Sequence, residues 1–184
     1  MTKDKMQEAE VSLLIALAYI KNKKTNEDVS VSVDGAHVKT GDTIHFDIKK
    51  FYDDHGLVKE GDEIDRWQGT YKISDELPRI IVHSRPGSGD VNIVTLDGQT
   101  LYIESKKGDL SKNRGQEYPL MREAIGQLMT GIEINDNMIP IVAVPYSDKS
   151  LALSTKWIKF PQIKLLGIRF MLVKENGDII EIEH

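Results

Sequence analysis

Asp90 and the run Glu104-Ser105-Lys106 are the residues of this 184-residue chain whose types and spacing suit catalysis. Two carboxylates from neighbouring strands can hold a hard cation such as Mg²⁺, with a backbone carbonyl and waters completing the shell. Hydrolysis of a phosphodiester asks for the same components: neutralised charge on the phosphate and a deprotonated water. On a strand, residues two apart share a face, so Glu104 and Lys106 project together while Ser105 points away. The ammonium of Lys106 can then orient or help activate the attacking water. An isolated E-x-K tripeptide is ordinarily a solvated strand-edge pair, so the surrounding elements decide the matter. Asp47-Ile48-Lys49 has a similar form, but it reads as part of a helix, where positions two apart diverge.

The elements around the motif are well marked. Ile80-Ile81-Val82 predicts a buried strand, and Arg85-Pro86-Gly87-Ser88-Gly89 a loop. Residues 90–96 and 99–106 predict two strands joined at Asp97-Gly98, a strong hairpin signal. Pro119 suits the first turn of a helix running to about Thr130, with Gly131 as its stop. Met138 to Val144 reads as another buried strand. Upstream, Met6, Leu13, Leu17 and Ile20 repeat at helical spacing and predict a helix over 6–21. Residues 29–39 alternate around Asp34-Gly35 and suggest a small hairpin. A short helix over 43–54 and an irregular connection over 57–78 follow. A helix near 151–158 and a hairpin turning at Asn176-Gly177 end the chain.

The register of the 90–106 hairpin governs whether the carboxylates meet. A two-residue loop sets Asp90 opposite Ser105, on the wrong face. A three-residue loop with a bulge pairs Asp90 with Lys106 and Asn92 with Glu104. In that register Ile93 faces Ile103 on an apolar side and the polar cluster occupies the other. The bulged register is therefore expected, since a one-residue slip exchanges the two faces.

Asp90, the Glu104-Ser105-Lys106 strand and the order helix, strand, strand, strand, helix, strand resemble the PD-(D/E)XK nuclease superfamily. The resemblance covers the first helix and residues 79–144, and the proline that usually precedes the aspartate is replaced by Gly89. It implies an α/β fold with a restriction-endonuclease-like mixed central sheet flanked by helices, an αβββαβ core. It also implies that Asp90, Glu104 and the Ser105 carbonyl bind Mg²⁺, with Mn²⁺ as a substitute, beside Lys106. Many members carry a glutamine on the following helix, which nominates Gln127; Glu123 shares its face. A glutamate on the first helix often serves the metal site. Glu10 lies on the face of Met6, Leu13 and Leu17, an unusual place for a carboxylate, and is placed narrowly ahead of Glu8.

The expected activity is that of an endonuclease on double-stranded DNA, similar to type II restriction enzymes. A cut in both strands favours a homodimer. A structure-specific repair or recombination nuclease, such as a junction resolvase, and an inert DNA-binding or assembly module are the alternatives. Arg85, Lys107, Lys112 and Arg114 are candidate phosphate contacts, whereas His83 reads as a structural strand residue. Trp67 and Tyr71 read as anchors of their connection more than as stacking platforms. Residues 1–184 are expected to form one domain, with 25–78 inserted for recognition or dimerisation. The net charge of −5 counts mildly against a nucleic-acid partner. A local basic surface matters more, and five cations fall within the seventeen positions from Lys106 to Arg122. No cysteine is present, which excludes disulfides and thiolate metal sites. The polar N-terminal residues and the short apolar runs predict neither a leader nor a membrane span, so a cytoplasmic protein is expected.

Overall fold

The computed structural model describes residues 5–61, 66–85, 87–110, 116–131 and 133–184. A short strand β1 (Lys5–Met6) leads into the 14-residue helix α1 (Glu8–Lys21). Next come β2 (Val29–Ser32), the single-turn helix α2 (Gly35–Val38), β3 (Lys39–Thr40), β4 (Thr43–Ile44) and α3 (Ile48–Asp54). Strands β5 (Val58–Glu60), β6 (Gly69–Lys72), β7 (Ile80–His83), β8 (Val91–Val94), β9 (Thr100–Ser105) and β10 (Gly108–Asp109) follow. Helix α4 (Glu117–Gly131), strand β11 (Met138–Pro145), helices α5 (Asp148–Trp157) and α6 (Pro161–Leu165), and the hairpin β12 (Arg169–Val173) and β13 (Ile179–Ile182) complete the chain.

Nine strands form one mixed sheet in the order β13-β12-β11-β9-β8-β2-β7-β6-β5. Neighbours β9 and β11, β11 and β12, and β2 and β7 run parallel; the other pairs are antiparallel. With six helices among the described residues, the chain is a mixed α/β protein built on a large mixed sheet. Among those residues no helix is long and apolar enough to cross a membrane.

One face of the sheet is covered by α1, whose residues from Ala9 to Ile20 are buried apart from Ala18. Leu101 and Ile103 of β9 join its core cluster. The other face is covered by α4, where Met121, Ala124 and Leu128 pack with Tyr102, Val142 and Val144. Covering both faces explains the continuous apolar run of β11, since a central parallel strand has no wet side. Each fully buried aliphatic side chain contributes roughly 1.5–3 kcal/mol through removal from water. At the far end of α1, the Tyr19 hydroxyl donates to Glu181 of β13 at 3.2 Å, and the Lys24 ammonium lies 2.8 Å from the same oxygen.

Two expectations are corrected. Residues 29–39 do not form a hairpin: Val29–Ser32 is an interior strand between β8 and β7, and the Asp34 carboxylate accepts the Ala36 N–H at 2.9 Å to cap α2. Residues 57–78 are not simply irregular, because β5 and β6 extend the sheet to its edge. The segment 25–78 therefore supplies an interior strand as well as peripheral elements, and β7 is separated from β8 by β2.

Candidate functional site

The hairpin between β8 and β9 turns through Leu96-Asp97-Gly98. Thr95 N–H donates to Gln99 O at 2.9 Å, Gly98 N–H donates to Thr95 O at 2.9 Å, and Gly98 has φ +82°. The loop has three residues, as expected, but begins one position earlier, so Val91 pairs with Ile103 and Asn92 with Tyr102. This corrects the expected pairing of Asn92 with Glu104 and of Asp90 with Lys106. The displacement is two positions along the ladder, an even number, so the faces are preserved. Asp90 precedes β8 and is held by three bonds. Its N–H donates to Ile103 O at 3.0 Å, its carbonyl accepts Ser32 N–H at 2.8 Å, and its carboxylate accepts Ser105 N–H at 2.7 Å.

Gly89 sits at φ +66°, and a Cβ there would lie 2.6 Å from Cζ of Tyr102. Proline fixes φ near −65°, so the residue usual before this aspartate cannot occupy the position. The departure from the resembled motif thus has a local steric cause.

Asp90, Glu104 and Glu8 crowd one end of β9. Burial, then the nearby Glu104 and Glu8 charges, push the Asp90 carboxyl up to about 8 against the Ser105 N–H and Lys106, which favour ionisation. The Glu104 carboxyl is likewise raised, first by burial and then by Glu8, with Lys106 and Asp90 opposing. Lys106 is the buried cation here: its Nζ lies 3.5 Å from Glu8 Oε2 and 3.6 Å from Glu123 Oε1. Glu8 also faces His37 Nδ1 across 3.4 Å. Behind the strand, Ser12 Oγ of α1 donates to Ser105 Oγ at 2.9 Å, which fixes helix and strand together.

Burial keeps a proton on Asp90, which shares a hydrogen bond with Glu104 beside the Lys106 ammonium, and a hard divalent cation would displace that proton and take both carboxylates as ligands. Among the described residues no group of three or more His, Asp or Glu side chains converges as a ready metal cage. The residues therefore fit a cation held by two carboxylates, with carbonyl and water oxygens completing its shell.

A cleft of about 550 Å³ opens over these groups, between the N-terminus of α1, the β7–β8 loop and the end of α4. Asp90, Glu104, Gln127 and Arg85 all line it, as do Glu8, His37 and Tyr102. Glu10 does not. It lines a separate pocket with His45, Phe46 and Asp47, so Glu8 replaces it as the helix residue at the cleft. Two positions along a helix is a rotation of about 200°, which carries Glu10 away from the face of Glu8 and Ser12. Lys107 is half-buried after β9 and is absent from the cleft lining, whereas Lys112 and Arg114 lie outside the described residues.

His83 is a structural residue of β7: Nε2 meets Ser30 Oγ at 2.8 Å and Nδ1 accepts Arg85 N–H at 3.2 Å. The hydroxyls of Tyr52 and Tyr71 both donate to Trp67 O, at 3.1 and 2.7 Å, which anchors that connection to the sheet. Asp47 caps α3 by accepting Lys50 N–H at 3.0 Å, so its D-x-K run does not enter the site. Among the cleft residues that the sequence did not nominate are Ser12, His37 and Tyr102. The i, i+4 spacing of Glu8 and Ser12 was a usable signal for their shared face; nothing local marked His37.

No protein-family model, no curated protein and no solved structure matches this chain.

Proposed function

We propose that the chain is a Mg²⁺-dependent endonuclease of the PD-(D/E)XK type, hydrolysing phosphodiester bonds of double-stranded DNA as type II restriction enzymes do. The observation that carries this reading is the meeting of Asp90 and Glu104, both raised by burial and repulsion, in the lining of an open cleft, with the buried Lys106 beside them but outside that lining. Mg²⁺, or Mn²⁺ in its place, would supply Lewis-acid polarisation of the phosphate and a bound water of lowered pKa. Asp90, Glu104 and the Ser105 carbonyl would hold the ion. Glu8 and Glu123 flank the Lys106 ammonium, which positions the attacking water. Arg85 and Gln127, which both line the cleft, would contact the phosphate and its neighbours. Cutting both strands calls for two copies of the chain, related by a two-fold axis.

Incubating the protein with supercoiled plasmid, linear duplex and a four-way junction, with Mg²⁺ or with EDTA, tests the reading. Mg²⁺-dependent cutting of duplex into discrete fragments is the expected result. Cutting confined to the junction would replace restriction by branch resolution. Absence of cutting on every substrate would leave a binding or assembly module.

Within this reading Glu8 and Glu10 are separable. Glu8→Gln is expected to slow cleavage by about tenfold or more, because a charged partner of Lys106 is lost. Glu10→Gln should leave the rate unchanged. Single-turnover rates of the two variants decide between the positions.

A further inference from the structure

We propose that Tyr102 is a catalytic residue of this cleft, its phenol hydroxyl donating a hydrogen bond to a non-bridging oxygen of the bound phosphodiester; the proposal rests on the hydrolase reading above. Tyr102 is 3% exposed, with its ring packed among Met121, Ala124 and Leu128 of α4 on one side and against Gly89 on the other. The ring is buried but the hydroxyl opens into the cleft, where it makes no hydrogen bond to another described residue. Its oxygen lies 3.8 Å from where a Cβ on Gly131 would stand, and Gly89 and Gly131 both line the cleft beside it. Two positions without side chains thus flank the hydroxyl and leave room for an atom of a ligand.

The placement fits an anionic oxygen. Tyr102 stands two residues before Glu104 on the same face of β9, about 7 Å along the strand. Asp90 follows Gly89 directly, so a phosphate beside the two carboxylates reaches the phenol without crossing the cleft. The carboxylates of Asp90 and Glu104 repel phosphate, and the nearby Ser105 N–H is already given to Asp90, which leaves the phenol and the Gln127 amide as neutral donors in the cleft. The phenol is thus a neutral donor where the phosphate needs one.

Tyr102→Phe removes the donor and keeps the ring, so the packing on Gly89 and α4 is retained. Two measurements are made on wild type and variant: Mg²⁺-dependent cleavage of duplex DNA, and NMR titration with dimethyl phosphate in the presence of Mg²⁺. The expected result is a kcat lower by about 100-fold and diester binding weaker by about tenfold, with the unfolding temperature unchanged. Equal cleavage and equal diester binding in the variant would reduce Tyr102 to a packing residue and overturn the proposal, while leaving the nuclease reading intact. If wild type cuts no DNA but Tyr102→Phe still loses the diester, the hydrolase reading fails and the phosphate contact stands. If wild type neither cuts nor binds the diester, both fall.

Discussion

Asp90→Asn will abolish Mg²⁺-dependent cleavage, by about a thousandfold or more, and will yield a metal-free protein that resists heat better than wild type at alkaline pH. On the proposed hydrolase reading, the first effect follows from removing one of the two carboxylates that would hold the ion. The second follows from linkage. The Asp90 carboxyl is pushed from 3.8 in its ordinary state to about 8 in the fold. Between those values the native state binds more protons than the unfolded chain, so stability falls as pH rises through that window and levels off above it. An amide in place of the carboxylate removes most of that loss. Thermal unfolding in EDTA from about pH 5 to about pH 9 should show a falling curve for wild type and a flatter one for the variant. Lys106→Met gives a contrasting pair of results: cleavage is lost as well, but the protein is weakened by about 3 kcal/mol. The reason is that Glu8 of α1 and Glu123 of α4 lose an ammonium that meets both helices at this point. A variant series in which both substitutions kill activity while stability moves in opposite directions would be hard to obtain from general misfolding.

Gly89→Ala is the second large effect. An alanine at φ +66° costs about 1–2 kcal/mol, and its methyl would stand 2.6 Å from the Tyr102 ring. The sum, about 3 kcal/mol, should lower the unfolding temperature by about 8 °C in a chain of this size. Because Asp90 is the next residue, a displacement of about 1 Å would also cost about 100-fold in rate. Gly87→Ala is the control: its φ of +78° carries the same backbone penalty, but nothing lies within 4 Å of the added Cβ. A larger loss at position 89 than at 87, in both melting and turnover, isolates the contact with Tyr102. Equal losses would mean that only the backbone conformation matters.

The parts that could be read directly from the chain were those governed by local pattern. The Asp97-Gly98 turn, Pro119 in the first turn of α4 and the apolar run of β11 each carry a short-range signature, and each element stands where it was expected. Face assignment survived as well, because alternation along Val91 to Ile93 and Leu101 to Ile103 fixes parity even when register moves by two. The exact register did not. It depends on Thr95, which bonds across the loop to Gln99 and with its own hydroxyl to Asp97, a competition that alternation cannot resolve. The position of β2 was hidden for another reason. Val-Ser-Val-Ser reads alike on an edge and in the interior, and its partners lie about fifty residues and about sixty residues away in sequence. The choice of Glu10 over Glu8 failed because α1 is buried on almost every side, so neighbouring apolar residues do not single out the face that meets the cleft.

The contacts at the far end of α1 have a mechanical meaning. The helix is about 21 Å long, and one end is seated by Tyr19 and Lys24 on Glu181 while the other presents Glu8 and Ser12 to β9. Sheathed by core along its length, it acts as a stiff rod between two clamps. Sliding or rolling of the rod at the β13 clamp would be delivered, with little loss, to the glutamate beside Lys106. A single helix thus joins the final hairpin to the edge of the cleft.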